Sequence, residues 1–225
     1  MEKVTSNLEV VSLSETELAE REIKAIALGD VELPTGRIVA SDPLVQPERP
    51  ALERPVKPGR YPVRLYEAYR RVALAELRLA PGKPVRWEIA TLPGQNPAEL
   101  KDDEIFGYPV DAGLGCYMDA SALPLMDARL DLVKKQTGQG NDVNYYDDVL
   151  SSELAANGDR YVLHRPMDDS SVNVAVFQSG WGDGFYPAFW GLDAAGEPLV
   201  LVTEFYVLKN ADARDPKPGK DTGAN

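Results

Sequence analysis

Apolar and polar positions change spacing along the chain, and each change marks an element. Near the start, Leu13 and Leu18 flank Ser14-Glu15-Thr16-Glu17. Ser14 is placed to cap a helix, with Glu17 reaching back three residues and the two leucines forming a staple. The acids Glu15 and Glu17 suit the positive end of the helix dipole. The pattern predicts a helix that runs on and stops at Gly29. Residues 30–60 then hold prolines at 34, 43, 47, 50, 55 and 58, which remove the donors a helix or central strand needs. A short strand near 37–40 and an extended, ordered wrapping segment are expected, because Leu44, Val45, Leu52 and Val56 need cover.

Residues 61–80, YPVRLYEAYRRVALAELRLA, mix helix formers with alternation at Val63/Leu65 and Ala73/Ala75/Leu77/Leu79. With RWEIATL (86–92) they predict three antiparallel strands, one helix plus one strand being the alternative. Residues 108–119 read as a strand broken by glycines. Two helices should follow. Ser121 would cap the first, with a stripe at Leu123/Met126/Leu130/Val133 that ends at Thr137-Gly138. The second should turn Val143, Tyr146, Val149, Leu150 and Leu154 inward and end at Asn157-Gly158.

The last third is all strand: YVLHRPM, SVNVAVFQS, GFYPAFWGL and PLVLVTEFYVL. Asp193-Ala194-Ala195-Gly196 fits a type I turn, so the last two strands should form a hairpin. Phe185 to Trp190 reads as one central strand, apolar on both faces. The tail from Asn210 has little to bury and should be disordered. The fold class expected is α+β: a mainly antiparallel, sandwich-like β-sheet with an N-terminal helix and a two-helix insertion at about 120–158. Residues 1–209 would form a single globular domain.

Composition narrows the chemistry. The 225 residues carry a net charge of −12, which disfavours a broad nucleic-acid surface. Residues 99–159 alone hold 13 acids and 4 bases, whereas residues 37–86 hold 11 bases and 5 acids. The plain reading of the acidic stretch is a solvated face. The functional one is a docking surface for a basic protein partner, with Asp142, Asp147, Asp148 and Glu153 foremost. No apolar run is long enough for a membrane helix, and the first residues have no signal-peptide pattern. With the single cysteine, Cys116, this predicts a cytoplasmic protein.

His164 is the only histidine, which excludes a multi-histidine metal site and suits a structural hydrogen bond in a sheet. Cys116 reads as a small buried residue, since neighbouring acids disfavour a thiolate. No motif calls for an organic cofactor. The carboxylates are more suggestive: Asp42 in SDP, Asp111 in PVDAG, Asp119 in YMDAS, Asp183 in GDG and Glu204 in VTEF. Two or three together would hold a divalent ion, with Asp111 and Asp183 as its ligands, or serve acid–base chemistry in a hydrolase or ligand-binding enzyme. Aspartate beside Pro or Gly is also ordinary turn chemistry. Trp181, Tyr186 and Trp190 around Asp183 are core residues on the plain reading and a ligand-stacking platform on the functional one.

GRIVASDPL (36–44), PGRYPVRL (58–65), RWEIA (86–90), GYPVDAGLGCYMD (107–119) and GDGFYPAFWGLDAAGEP (182–198) occur in that order. Together they resemble a bacterial family known as domain of unknown function 4241, over roughly residues 36–208. The resemblance implies no catalytic roles. It marks Asp42, Asp111, Gly113, Asp183, Gly184 and Trp190 as positions of the shared pattern. Small acidic bacterial families of this kind often look like immunity proteins or accessory proteins of toxin and phage-conflict systems, which is an association rather than a mechanism.

Overall fold

The computed structural model describes residues 6–101, 104–138 and 140–208. The expectation for the tail from Asn210 lies outside these residues. The N-terminal capping box forms: Ser14 N–H donates to Glu17 Oε2 at 2.7 Å, and Glu17 N–H donates to Ser14 Oγ at 3.3 Å. The helix it starts, α1 (Glu15–Glu20), is much shorter than the one expected. Ile23 N–H bonds Leu18 O and Glu22 N–H bonds Ala19 O, with Glu22 at φ 56°. This is a Schellman closure, and Ile23 and Leu18 pack together in the core beneath it. Gly29 instead lies at a bulge inside the first strand, where a Cβ would come within 2.8 Å of Leu163 Cδ2.

Among the described residues, twelve strands follow: β1 (Lys24–Leu33), β2 (Ile38–Ser41), β3 (Gly59–Ala68), β4 (Arg71–Arg78), β5 (Arg86–Ile89), β6 (Tyr108–Val110), β7 (Leu114–Asp119), β8 (Tyr161–His164), β9 (Val174–Gln178), β10 (Gly184–Tyr186), β11 (Ala188–Leu192) and β12 (Pro198–Glu204). All pairings are antiparallel. They make a six-stranded sheet in the order β1-β3-β4-β12-β11-β5, a four-stranded sheet β2-β7-β9-β8 and a β10-β6 ribbon. The three strands expected over 61–92 are present, but β5 pairs with β11 rather than with its sequence neighbours. The hairpin at Asp193–Gly196 forms as read, closed by Gly196 N–H to Asp193 O at 3.1 Å.

The stretch read as one central strand is two. Pro187 has no N–H for a ladder, and the chain crosses there from β10 in the ribbon to β11 in the large sheet. Phe185 is consequently exposed, while β11 is buried on both faces.

The two larger sheets pack face to face over a shared apolar core, so the fold is α+β and sandwich-like. Tyr117 of β7 ties them together. Its hydroxyl donates to Ala75 O at 2.8 Å and accepts from Thr203 N–H at 2.8 Å, with every group buried. Tyr117→Phe leaves that N–H and that carbonyl without their shared partner. It is expected to lower stability by about 1–3 kcal/mol in urea unfolding.

The outer face of the four-stranded sheet carries α2 (Ala122–Thr137) and α3 (Ser151–Ala155). A wide π-type turn, Tyr146–Leu150, leads into α3. Asp119 rather than Ser121 holds the start of α2, accepting Ser121 N–H and Oγ–H on Oδ1; Ser121 itself is helical and makes no capping bond. Gly138, at φ 69°, closes the helix as expected. Tyr146 points outward, contrary to the expected stripe, because the turn before it is 3₁₀ and the helical phase does not extend back to Val143. The outer face of the six-stranded sheet is covered by a 3₁₀ segment, Ser6–Ser12, which buries Leu8, Val10 and Val11. No helix among the described residues is long and apolar enough to cross a membrane.

Candidate functional site

Asp42 follows β2 and is wholly buried. Its Oδ1 accepts N–H groups of Leu44 (2.9 Å) and Val45 (3.2 Å), and its Oδ2 those of Asp111 (3.0 Å) and Ala112 (2.8 Å). The first pair is the local turn that Asp-Pro favours. The second reaches another loop. The carboxylate thereby clamps the wrapping segment to the β6–β7 turn, with both oxygens occupied by backbone donors.

Asp111 and Asp183 are both exposed. The β6/β10 ribbon pairs Tyr108 with Tyr186, Pro109 with Phe185 and Val110 with Gly184. One step further along that register sets Asp111 opposite Asp183. Among the described residues, no three His, Cys, Asp or Glu side chains gather as a cation site requires.

The two glycine-bearing loops behind them touch. A Cβ on Gly113 would lie 3.9 Å from Gly182 Cα, and Ser179 N–H bonds Gly113 O at 3.0 Å. Gly180, at φ 62°, has no room for a side chain: a Cβ would fall 2.8 Å from Phe205 Cβ. Tyr186 is buried edge-on against Phe205, and its hydroxyl donates to Gly182 O at 2.9 Å. It therefore braces the loop. Burial, with the nearby Asp183 charge, raises its pKa and keeps that donor protonated.

The braced loop presents Trp181, 48% exposed. Its Nε1–H donates to Tyr206 O at 3.4 Å, and the Arg71 guanidinium lies 4.4 Å from the ring centroid while bonding Gly180 O. The indole is thus held at the surface by a cation–π contact and a backbone acceptor. It borders a cleft of about 250 Å³ lined also by Arg71, Gly113, Tyr146, Asp159 and Gly182.

Tyr146, itself exposed, comes from the acidic helical segment. The two regions nominated separately by sequence meet at this cleft. Asp147 and Asp148 follow Tyr146, and both are exposed and held by Asn144, whose Nδ2–H bonds Asp147 Oδ2 at 2.7 Å and whose N–H bonds Asp148 Oδ2 at 2.8 Å. Asp142 is exposed one turn earlier. Among the described residues, no Lys or Arg stands within 4.0 Å of Asp111, Asp142, Asp147, Asp148, Asp159 or Asp183.

Glu153 differs from its acidic neighbours, because it holds His164 Nδ1 at 2.9 Å. Burial, with Glu153 adding to it, pushes the Tyr145 hydroxyl pKa up, and this hydroxyl pairs with His164 Nε2 at 2.7 Å. Nδ1–H donates to Glu153. The buried histidine latches the helical segment to β8. Cys116 is fully buried 3.6 Å from Ser41 Oγ, and burial pushes its thiol up to about 12.

Trp190 lies elsewhere, 97% removed from solvent at the wall of a larger groove of about 660 Å³ beside β5. The Arg54 guanidinium sits 5.7 Å from its centroid, and Glu88 bridges Arg54 (3.1 Å) and Arg86 (3.0 Å). Trp87, also in the wall, packs over the bare backbone of Gly191, where a Cβ would come within 2.7 Å of its ring. Sequence reasoning missed Arg71, Trp87 and the outward Tyr146. The doublets Arg70-Arg71 and Tyr145-Tyr146 were the available signal, since in each pair only one residue can face inward.

A family model described as "Protein of unknown function (DUF4241)" matches residues 31–203. No curated protein and no solved structure matches the chain.

Proposed function

The chain belongs to the DUF4241 family, and we propose that it is a cytoplasmic, non-catalytic binding module that receives a basic segment of a protein partner in the Trp181 cleft. One observation carries this reading. An exposed indole and an exposed phenol face one cleft from two different loops, and unpaired carboxylates flank both. Aromatic side chains held rigid by their own loops are the usual anchors of a protein interface. Carboxylates without cation partners favour Lys or Arg on the incoming surface.

Three of the side chains a hydrolase could draw on have other work here. Asp42 holds four backbone donors, His164 latches a helix, and the Cys116 thiol is buried and protonated. This suits an immunity-type or phage-conflict accessory protein, which acts by occupying a basic partner rather than by turnover.

The reading is tested with defined probes. An Arg-rich nonapeptide is expected to bind, with affinity falling as salt rises from about 0.05 to about 0.3 M. A Glu-rich counterpart should not bind. Trp181→Ala should weaken binding of the basic peptide about tenfold or more. Exchanging Asp147 and Asp148 for asparagine should act mainly by slowing association. Undiminished binding to the Trp181→Ala protein would overturn the assignment.

A further inference from the structure

The edges of the sheets are treated unequally. At the β1 edge, the Asn173 side chain accepts Glu32 N–H at 2.8 Å and donates to Asp30 O at 3.0 Å, standing in for a neighbouring strand. At the β2 edge, the wrapping segment supplies Leu52 N–H to Ile38 O and Val56 N–H to Gly36 O. The β5 edge is held only at its end, where the wrapping segment supplies Glu53 N–H to Thr91 O at 2.8 Å. β11 pairs with one side of it, and among the described residues no strand takes the other. Ala90 N–H bonds Ala188 O, and the pairing continues through Glu88 and Trp190. Alternation along an antiparallel ladder therefore turns the N–H and C=O of Trp87 and Ile89 outward. Unpaired edges attract further strands, and folded proteins generally block them.

The open edge borders the 660 Å³ groove, a volume in the range that encloses a bound ligand. Its walls come from both faces of the sheet. Trp87 lies over Gly191 on one face, and Ile89 shares that face by alternation. Glu88 and Trp190 pair across the ladder on the other. Glu88 pairs with both Arg54 and Arg86, so this trio keeps one positive charge in surplus. Glu53 stands at the groove's end with only the Thr91 hydroxyl on its carboxylate, at 3.0 Å. The groove thus offers backbone hydrogen bonds, an apolar wall and, at its end, the Glu53 carboxylate, which among the described residues has no Lys or Arg within 4.0 Å. These are the elements of strand addition, in which backbone bonds give affinity and alternate side chains give selectivity.

We propose that the groove along β5 is a docking site for an extended peptide segment of a partner protein, which adds as a seventh strand and places apolar side chains against Trp87 and Ile89 and a basic side chain toward Glu53. The site is separate from the Trp181 cleft and does not rest on that reading.

The chain has three tryptophans, so in a Trp181→Ala protein the remaining indoles, Trp87 and Trp190, both report from the groove. The probe is an acetylated, amidated Lys-Val-Lys-Val-Lys peptide, titrated by fluorescence and by amide hydrogen exchange. Saturable binding with a dissociation constant below about 1 mM is expected, with new protection at the Trp87 and Ile89 amides. The same peptide with alternate amides N-methylated should bind about tenfold or more weakly, because strand addition depends on the backbone. Glu-Val-Glu-Val-Glu should bind at least about threefold more weakly, and Glu53→Gln should narrow that difference. Trp87→Ala should reduce binding of both peptides.

Absence of saturable binding, equal binding of the N-methylated peptide, or protection confined to other strands overturns the proposal. So does a concentration-dependent dimer that protects these same amides without peptide, which would assign the edge to a second copy of the chain.

Discussion

An Asp42→Ala protein is expected to unfold with about 3–5 kcal/mol less free energy than the parent, read from urea denaturation. The carboxylate is fully buried, and Leu44, Val45, Asp111 and Ala112 all direct N–H groups at it. Removing it strands four donors where water does not readily replace it, and each unsatisfied buried group is costly. Asp42→Asn separates the two halves of the clamp. It keeps one acceptor oxygen and places an NH₂ against the other pair of donors, so its loss should be smaller than that of alanine but still above about 1 kcal/mol. Hydrogen exchange supplies the local check, with Asp111 and Ala112 amides exchanging faster while those of β12 change only with global stability. An asparagine variant as stable as the parent would show that the carboxylate is not the tie between the loops. Because the tied loop ends in Gly113 at the Trp181 cleft, the same variant should also weaken basic-peptide binding.

Asp42 also marks where sequence reading stops. Its local half was legible, because Asp before Pro favours bonds to the next N–H groups. Its distant half was not, since the alternation of β2 and β6 says nothing of which loop ends up beside which. The same division recurs through the fold. The capping box at Ser14, the closing Gly138 and the Asp193–Gly196 hairpin are short-range devices, and they form as read. The end of α1 was misplaced because a Schellman closure at Glu22 uses a non-glycine residue in the left-handed region, and Gly29 was a more visible stop.

Pro187 was a legible break that both-face apolarity concealed, since β11 is buried on two sides whichever strand precedes it. The nominated site residues divide between two places for a comparable reason. Trp181 and Trp190 are nine positions apart, yet the crossing at Pro187 sends one to the small cleft and the other to the β5 groove. Composition located the acidic segment, but only tertiary packing brings Tyr146 of that segment to Trp181.

The second large effect expected is a pH dependence from Glu204. This residue ends β12 with 0% exposure; Oε1 accepts Tyr206 N–H at 2.9 Å, and among the described residues no donor stands within 3.5 Å of Oε2 in hydrogen-bonding geometry. Burial, only partly offset by the Tyr206 N–H and the Asn7 side chain, pushes its pKa from 4.5 up to about 8. Among the described residues no Lys or Arg lies within 4.0 Å of the carboxyl. The sign follows from proton counting. Below about pH 4.5 the group is protonated in both folded and unfolded chains and stability is unaffected. Between about 4.5 and about 8 the unfolded chain has released the proton and the folded one retains it, so stability falls as pH rises. Above about 8 both forms are ionised and the loss levels off, at a total on the order of 3–5 kcal/mol.

Glu204→Gln removes the titration while keeping the shape. Its stability relative to the parent should therefore climb between pH 5 and pH 9, with most of the gain complete by about pH 8. Parallel stability curves for the two proteins would rule this out. The effect has a local route to the cleft, because the residue whose N–H bonds Glu204 also supplies the carbonyl that holds Trp181. Exchange at the Tyr206 amide should therefore follow the same pH range in the parent and lose that dependence in the variant.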